Sequence, residues 1–305
     1  NQFNLLSNAL RLNYSAAEKM LLQFKTEYPN AKESATIDFD VANYYFNSQK
    51  YRYALKWFSR VSESQIPKLE LPLFNFNKGY TLFSAKRYEQ ARPYLEKLKN
   101  NKEYESDAHY YLGHIAYQLD DFDTAFSEFN DISNSIQKDN LTYFQADMNF
   151  RLGRFDQAIG LAKKIIYDNS PGLISEASKI IGESYFNQEK YVSAIPYLEA
   201  YNGKKGKWNV TDYYQLGFAY YQTASFNKAL TQFNKITSGK NAIAQNAYYY
   251  LADCYLRLNQ KASAQNAFKS AMEMDFDPRV KEDAFFNYAK LSYEIGNPYK
   301  TPPEI

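Results

Sequence analysis

The chain has 305 residues, and its 36 Lys and Arg against 34 Asp and Glu leave a net charge of +2. A charge this small over this length gives no electrostatic basis for binding nucleic acid or an anionic membrane surface. A single cysteine, Cys254, excludes an internal disulfide and a cysteine-based metal cluster, and no run of about 18 apolar residues is present that would insert into a bilayer.

In chain order, the first predicted element is a partial helix over residues 3–12, and the phrase that follows it recurs along the whole chain. In most copies the phrase is an aromatic residue, two further residues, an alanine, three further residues and a large apolar residue; Tyr14 begins the first copy. Eight copies at a spacing of 33 to 37 residues indicate an internal repeat. The repeat alanines are Ala17, Ala54, Ala91, Ala125, Ala158, Ala194, Ala229 and Ala264.

Each complete copy also has a small residue twelve positions before its alanine. These are Ala42, Gly79, Gly113, Ala146, Gly182, Gly217 and Ala252. A polar break separates the small residue from the alanine, so each copy predicts a helix, a tight turn and a second helix. Small residues allow two antiparallel helices to approach closely where they cross. A hairpin of about 35 residues cannot bury its apolar faces alone, so stacked neighbours are expected to complete the core.

The spacing and the residue classes of these hairpins resemble the tetratricopeptide repeat family. The resemblance implies an all-α fold, a right-handed α-solenoid of stacked antiparallel helical hairpins, in a single domain over residues 1–305. The family's Trp near the start of the first helix is absent from these copies, and its closing Pro is irregular. The expected units are a partial repeat over 1–34, full repeats over about 35–71, 72–105, 106–138, 139–174, 175–209, 210–244 and 245–279, and a partial repeat over 280–305.

The last predicted element is one more first helix over residues 280–295, followed by a turn at Gly296, Asn297 and Pro298. No second helix and no polar cap follow this turn, although solenoids usually end in a polar cap. We therefore expect the chain to be part of a longer bacterial array.

Candidate catalytic and metal-binding residues are few. His109 and His114 are five residues apart, so they do not share the helix face that a pair of metal ligands would need. The sequence has no Gly-rich phosphate loop and no Gly-x-Ser-x-Gly motif. Cys254 follows the small residue Ala252 by two positions, which predicts a buried and unreactive thiol. We predict that the chain is not an enzyme and uses no metal or cofactor.

In the family that the chain resembles, the first helices line a concave groove that binds extended peptides or partner helices. The resemblance therefore implies a protein or peptide partner. The small net charge and the lack of a long apolar run predict no nucleic acid partner and no insertion into a membrane. The carboxylate clamp of chaperone-binding members is not reproduced, because only Asn43 and Lys179 match it. The residues expected to face the groove are Asn43, Phe76, Tyr80, Phe83, Tyr110, His114, Tyr117, Asp147, Glu183, Tyr214, Phe218, Tyr221 and Asp253.

The position eleven residues before the repeat alanine is expected to be freer of structural duty than the other positions of the groove. We predict that Tyr80 and Phe218 at this position are exposed aromatic anchors for the partner. Packing between helices is the competing interpretation for the other aromatic residues of the groove. Acidic residues in the middle of the chain, Asp147, Glu176 and Glu183, favour a partner with a basic residue at that point.

Two alternative functions stay open. Rows of Tyr and Phe can stack on sugar rings, although Trp57 and Trp208, the only tryptophans, fall outside the predicted groove. The array could also be the docking or regulatory segment of a larger envelope or signalling protein. The composition, rich in Tyr, Asn and Lys, resembles that of bacterial envelope-associated repeat proteins and favours the periplasm or outer membrane over the cytoplasm. The segment over residues 201–210 reads as a solvated loop or as a basic contact point made by Lys204, Lys205 and Lys207.

Overall fold

The computed structural model describes residues 2–11, 16–31, 34, 36–132, 138–170 and 172–296, and over these it is built of α-helices joined by turns. The predicted all-α fold is therefore confirmed. Tyr14 and the predicted turn at Asn297 and Pro298 lie outside the described residues. The first helices along the chain are α1 Gln2–Arg11, α2 Ala17–Glu27, α3 Ile37–Asn47, α4 Tyr51–Phe58, α5 Leu71–Ser84, α6 Tyr88–Glu96, α7 Glu105–Gln118 and α8 Phe122–Asn130. The others are α9 Lys138–Arg151, α10 Phe155–Tyr167, α11 Ile174–Asn187, α12 Tyr191–Ala200, α13 Val210–Gln222, α14 Phe226–Phe233, α15 Ala242–Arg257, α16 Lys261–Met272 and α17 Pro278–Gly296.

The chain divides into two compact units, Asn1–Leu141 and Thr142–Ile305, called unit 1 and unit 2 below. Within each unit, helices that are consecutive in the sequence pack against each other as hairpins. The first helices of successive hairpins also touch, as α3 and α5 do in unit 1 and α13 and α15 do in unit 2. Packing is thus between sequence neighbours, as expected for stacked hairpins.

The hairpin crossings explain the small residues of the repeat. All eight repeat alanines are fully buried, at 0 % exposure. A side chain at Gly217 would place its Cβ 2.9 Å from Cε1 of Phe233, and one at Gly113 would lie 2.4 Å from the same atom of Phe129. Gly79 and Gly182 face leucines in the same way. The residue that fills each crossing stands sixteen positions after the glycine, so the second helix occupies the space that the glycine leaves.

Replacing Gly217 with leucine is expected to destabilise unit 2 by about 1–3 kcal/mol, because the new side chain must displace the ring of Phe233. Thermal unfolding followed by circular dichroism measures this loss. Gly160→Leu is the matched control, since no atom lies within 4 Å of a Cβ at this helical glycine of the same unit. Equal melting temperatures for the two variants would contradict the crossing described above.

The turns within the hairpins share one backbone conformation that their residue types do not predict. Each turn from the second hairpin to the eighth contains one residue with φ between 56° and 71°, always five positions before the repeat alanine. The next N–H then bonds to the carbonyl five residues earlier, as from Ser225 to Tyr220 at 2.8 Å. This is the Schellman arrangement, which satisfies carbonyls at a helix end. The residues with positive φ are Gln49, Lys86, Asp120, Gly153, Glu189, Ala224 and Asn259.

Replacing Ala224 with glycine is expected to stabilise unit 2 by about 1 kcal/mol, because the Cβ of Ala224 disfavours its φ of 56°. Denaturation by urea measures the gain. The same substitution at Ala85, where φ is −83°, removes a Cβ at a position that does not need glycine and is expected to give no gain. A stabilised Ala85→Gly or a destabilised Ala224→Gly would contradict this account of the turns.

The start of α17 is tied to α15 by a single buried side chain. Gln245 is 0 % exposed, and its amide nitrogen donates to the carbonyls of Ala271, Met274 and Asp277 at 3.0 to 3.2 Å. Its amide oxygen accepts from the N–H groups of Phe276 and Asp277 at 3.1 and 2.7 Å. One glutamine therefore satisfies five backbone groups, one in the last turn of α16 and four in the connection to α17.

Candidate partner-binding site

All the residues predicted to face the groove lie on the first helices of their hairpins, distributed over both units. Unit 1 has Asn43 on α3, three aromatic residues on α5 and three residues of the predicted set on α7. Unit 2 has Asp147 on α9, Glu183 on α11, three aromatic residues on α13 and Asp253 on α15. In each unit some of these residues meet in an aromatic cluster, and in unit 2 two of them also meet in a polar pocket.

The first aromatic cluster lies in unit 1 around Tyr80. The ring centroid of Tyr80 is 5.5 Å from that of Phe46, 5.1 Å from that of Tyr51 and 5.1 Å from that of Tyr111. Phe76, one turn earlier on the same helix, stacks on Tyr80 at 6.2 Å. Rings on four sides therefore surround Tyr80, which is half-buried.

The second aromatic cluster repeats this arrangement in unit 2, with Phe218 in the place of Tyr80. Phe218 is 5.8 Å from Phe186, 5.7 Å from Tyr191 and 5.0 Å from Tyr250, and Tyr214 stacks on it at 6.1 Å. Each partner ring stands at the same repeat position as its counterpart in unit 1. The two aromatic residues predicted as anchors thus have the same packing role, since both join successive first helices.

Tyr111 and Tyr250 are central to these clusters, and the sequence interpretation missed both. Each stands fourteen positions before its repeat alanine and contacts the residue eleven positions before the preceding alanine. The sequence could have revealed them, because the residues at these two positions are chemically similar. In unit 1 the same pair of positions holds Asn43 and Asn77, whose side-chain amides bond at 2.9 Å.

Packing within these pairs limits the exposed surface of the residues predicted to face the groove. Tyr80 and Phe218 are half-buried among their neighbouring rings, and Tyr117 is only 7 % exposed. The His114 ring lies 4.5 Å from the ring of Tyr110 and 5.6 Å from that of Phe129, and burial lowers the His114 pKa to about 4. Substituting any of these residues would change folding together with binding.

A polar pocket of about 370 Å³ lies in unit 2 between α9, α11 and the loop after α12. We call it the acidic pocket. The rings of Tyr143 and Phe150 and the side chain of Ile180 form its apolar wall. Its charged residues are Asp147, Glu176, Lys179, Glu183 and Lys204. Two of the predicted site residues, Asp147 and Glu183, meet here.

The charges of the acidic pocket are only partly compensated. Lys179 bonds to Asp212 at 2.8 Å and lies 3.8 Å from Glu183. Burial raises the pKa of Glu183, while Lys179 and a hydrogen bond with Gln215 oppose that rise. Burial also raises the pKa of Tyr143 to about 12, assisted by the nearby carboxylates of Asp147 and Glu176. Asp212 engages Lys179, and Arg151 pairs with Asp147 at 2.7 Å, so Glu176 and Glu183 are the carboxylates of the pocket best placed to meet an additional cation.

The remaining candidates for chemistry have structural surroundings. Cys254 is fully buried, and burial raises its pKa to about 12. His109 and Lys99 both bond to the Glu128 carboxylate at 2.7 Å, which links α7, α8 and the residues after α6. Over the described part of the chain, no three His, Cys, Asp or Glu side chains are grouped closely enough to hold a metal ion. The helices described here include none with the length and apolar character to cross a bilayer.

Comparisons with known proteins agree with this architecture. The family model for the tetratricopeptide repeat matches residues 74–103 and 245–278. A tetratricopeptide repeat protein from Parabacteroides merdae, known from its crystal structure, is similar over 84 % of this chain and 99 % of its own, with 12 % identity and a TM-score of 0.51. The C-terminal part of a repeat protein of the same type from Cytophaga hutchinsonii is similar over 81 % of this chain and 98 % of its own, with 17 % identity and a TM-score of 0.60. At this identity the similarity shows the fold alone. No curated protein matches the chain.

Proposed function

Since the chain contains tetratricopeptide repeats and has their fold, we propose that it is a scaffold that binds a peptide or a helix of a partner protein along its first helices. The observation that carries the proposal is the acidic pocket, where predicted groove residues of two successive first helices line one cavity. Concave sites with apolar walls and a few convergent polar groups are the usual form of binding sites. The proposal includes no catalytic step.

The acidic pocket suits a basic side chain of the partner. An arginine or lysine placed there would meet the rings of Tyr143 and Phe150, which attract cations through their faces. The carboxylates of Glu176 and Glu183 would accept its hydrogen bonds, and charge-assisted bonds of this kind are about twice as strong as neutral ones. The partner's segment is therefore proposed to contain a basic residue, flanked by residues that lie along α9 and α11.

The test is a double variant, Glu176→Gln and Glu183→Gln, which removes two negative charges while conserving side-chain shape. The matched control, Glu103→Gln and Glu105→Gln, removes two exposed glutamates of unit 1. Each protein is used to recover partners from cell extract, with identification by mass spectrometry, and the affinity of each recovered protein is then measured. A partner held through the pocket is expected to bind the control like the original protein and the pocket variant about tenfold more weakly.

The outcomes separate the scaffold from the site. A recovered partner that binds all three proteins equally would move the binding site away from the acidic pocket. If no recovered protein shows specific binding to the original chain, the scaffold function itself is rejected. We base this test on polar residues because loss of Tyr80 or Phe218 would disturb the aromatic clusters that join the helices.

A further inference from the structure

The connection between α12 and α13, residues 201–209, is a built loop rather than a loose linker. Gly203 and Gly206 have φ of 82° and 74°, and a Cβ on Gly203 would lie 2.4 Å from the carbonyl carbon of Lys207. The indole N–H of Trp208 donates to the carbonyl of Tyr201 at 2.6 Å. The N–H of Asn202 donates to the hydroxyl of Ser175 on α11 at 3.0 Å. These bonds hold the side chains of the loop in fixed positions.

The helix that follows is held in register by the same loop. The Asn209 side chain accepts from the N–H groups of Thr211 and Asp212 at 2.7 and 3.1 Å. The Asp212 carboxylate in turn accepts from the N–H of Asn209 at 2.8 Å, which completes a capping box. Because Asp212 also bonds to Lys179 on α11, the loop is fixed at both of its ends.

A pocket of about 640 Å³ opens beside this loop, and we call it the loop pocket. Trp208 and Tyr213 line it with aromatic rings whose centroids are 5.2 Å apart. Asn202 and Gln232 bring side-chain amides, and Lys207 and Lys235 bring ammonium groups. The lining side chains include no carboxylate. The loop pocket is thus aromatic, rich in amides and positively charged.

We propose that the loop pocket binds an acidic saccharide. Aromatic rings pack against the apolar C–H face of a sugar ring. A side-chain amide both donates and accepts hydrogen bonds, as the hydroxyls of a sugar require. The ammonium groups of Lys207 and Lys235 would bind a uronate carboxylate or a sulfate. The Gln232 amide oxygen already accepts from Lys235 at 3.4 Å. An acidic peptide fits less well, because its side chains offer carboxylates to the lysines but no sugar ring with an apolar C–H face to the ring of Trp208.

Binding of an acidic saccharide goes beyond the scaffold function and does not depend on it. The residues that carry the saccharide proposal, Lys207, Trp208, Gln232 and Lys235, do not line the acidic pocket. The loop pocket also gives a place to a tryptophan that the sequence interpretation set outside the predicted groove. Lys207, one of the three lysines of the predicted basic contact point, forms part of the wall of the loop pocket.

The experiment measures binding of a hexamer of galacturonic acid by calorimetry and by tryptophan fluorescence. Trp57 is only 2 % exposed, so a change in emission on binding is expected to come from Trp208 and to disappear in Trp208→Phe. A neutral maltohexaose and a hexaglutamate peptide are measured in parallel. We expect the galacturonate hexamer to bind at least tenfold more tightly than either of them.

Two double variants locate the site. Lys207→Gln with Lys235→Gln is expected to weaken binding of the galacturonate hexamer at least tenfold. Lys228→Gln with Lys269→Gln removes the same charge from exposed positions of the same unit, 66 % and 53 % exposed, and is expected to leave binding unchanged. Equal binding of hexaglutamate, equal loss in both variants, or no binding of the galacturonate hexamer would each overturn the proposal.

Discussion

Replacing Gln245 with methionine is expected to lower the free energy of unfolding of unit 2 by about 4 kcal/mol, because several backbone groups lose their hydrogen bonds at once. The side chain is fully buried and bonds to five backbone groups in the last turn of α16 and the connection to α17. Methionine fills a similar volume, so the loss comes from the unpaired N–H and carbonyl groups and not from a cavity. Of the residues proposed for substitution, no other is both completely buried and bonded to as many backbone groups.

Hydrogen exchange gives the local measurement for this variant. The amides of Phe276 and Asp277 donate to Gln245, so they are expected to lose protection in Gln245→Met before the rest of unit 2 does. Gln222→Met, at an exposed position on α13, is the control and is expected to change stability by less than about 0.5 kcal/mol. Retained protection at both amides would show that α17 is held in place by other contacts.

The repeat pattern predicted the hairpin packing from a few positions. Steric exclusion decides those positions, because a close helix crossing accepts only a small side chain whatever surrounds it. Ala54 and Ala229 are fully buried, and Gly113 and Gly217 face phenylalanine rings, as the pattern predicts for residues at a crossing. Information of this kind is local to one hairpin and is therefore readable from one repeat at a time.

Contacts between hairpins were harder to predict, because they depend on two residues about thirty positions apart. Tyr80 alone looks like an exposed aromatic residue, and its environment becomes visible only together with Tyr111 in the next first helix. The same holds for Glu183, whose partner Gln215 stands at the corresponding position. The residue eleven positions before the alanine is therefore constrained by its neighbour in the next hairpin.

The backbone of the turns and the loop was not readable from residue types. Six of the seven turn residues with positive φ are not glycine, so the Schellman geometry follows from the hairpin and not from the residue. Gln245 likewise reads as an ordinary polar residue of a helix, since its partners belong to a connection whose path the sequence does not specify. The sequence predicted the acidic residues of the acidic pocket, but it did not predict that the loop pocket is a cavity.

The burial of His114 makes the stability of unit 1 depend on pH. Its ring lies among Phe83, Tyr110 and Phe129, and burial lowers its pKa from the ordinary 6.5 to about 4. Above pH 6.5 the imidazole is neutral in the folded and the unfolded state and contributes no pH dependence. Between pH 6.5 and 4 the unfolded chain takes up a proton that the folded chain does not, so stability falls as the pH is lowered.

We expect this difference to remove about 2.5 kcal/mol from the stability of unit 1 between pH 7 and 4.5. His114→Leu, which is close in volume and cannot ionise, is expected to lose that much less over the same interval. Urea denaturation of both proteins at the two pH values measures the difference, and contributions from groups that the two proteins share cancel in the comparison. Titration of the His114 ring near pH 6.5 in the folded protein, followed by NMR, would contradict the prediction. Such a result would mean that water reaches the ring and that this position of α7 is open to a partner. A pKa near 4 would instead confirm that its aromatic neighbours enclose the ring.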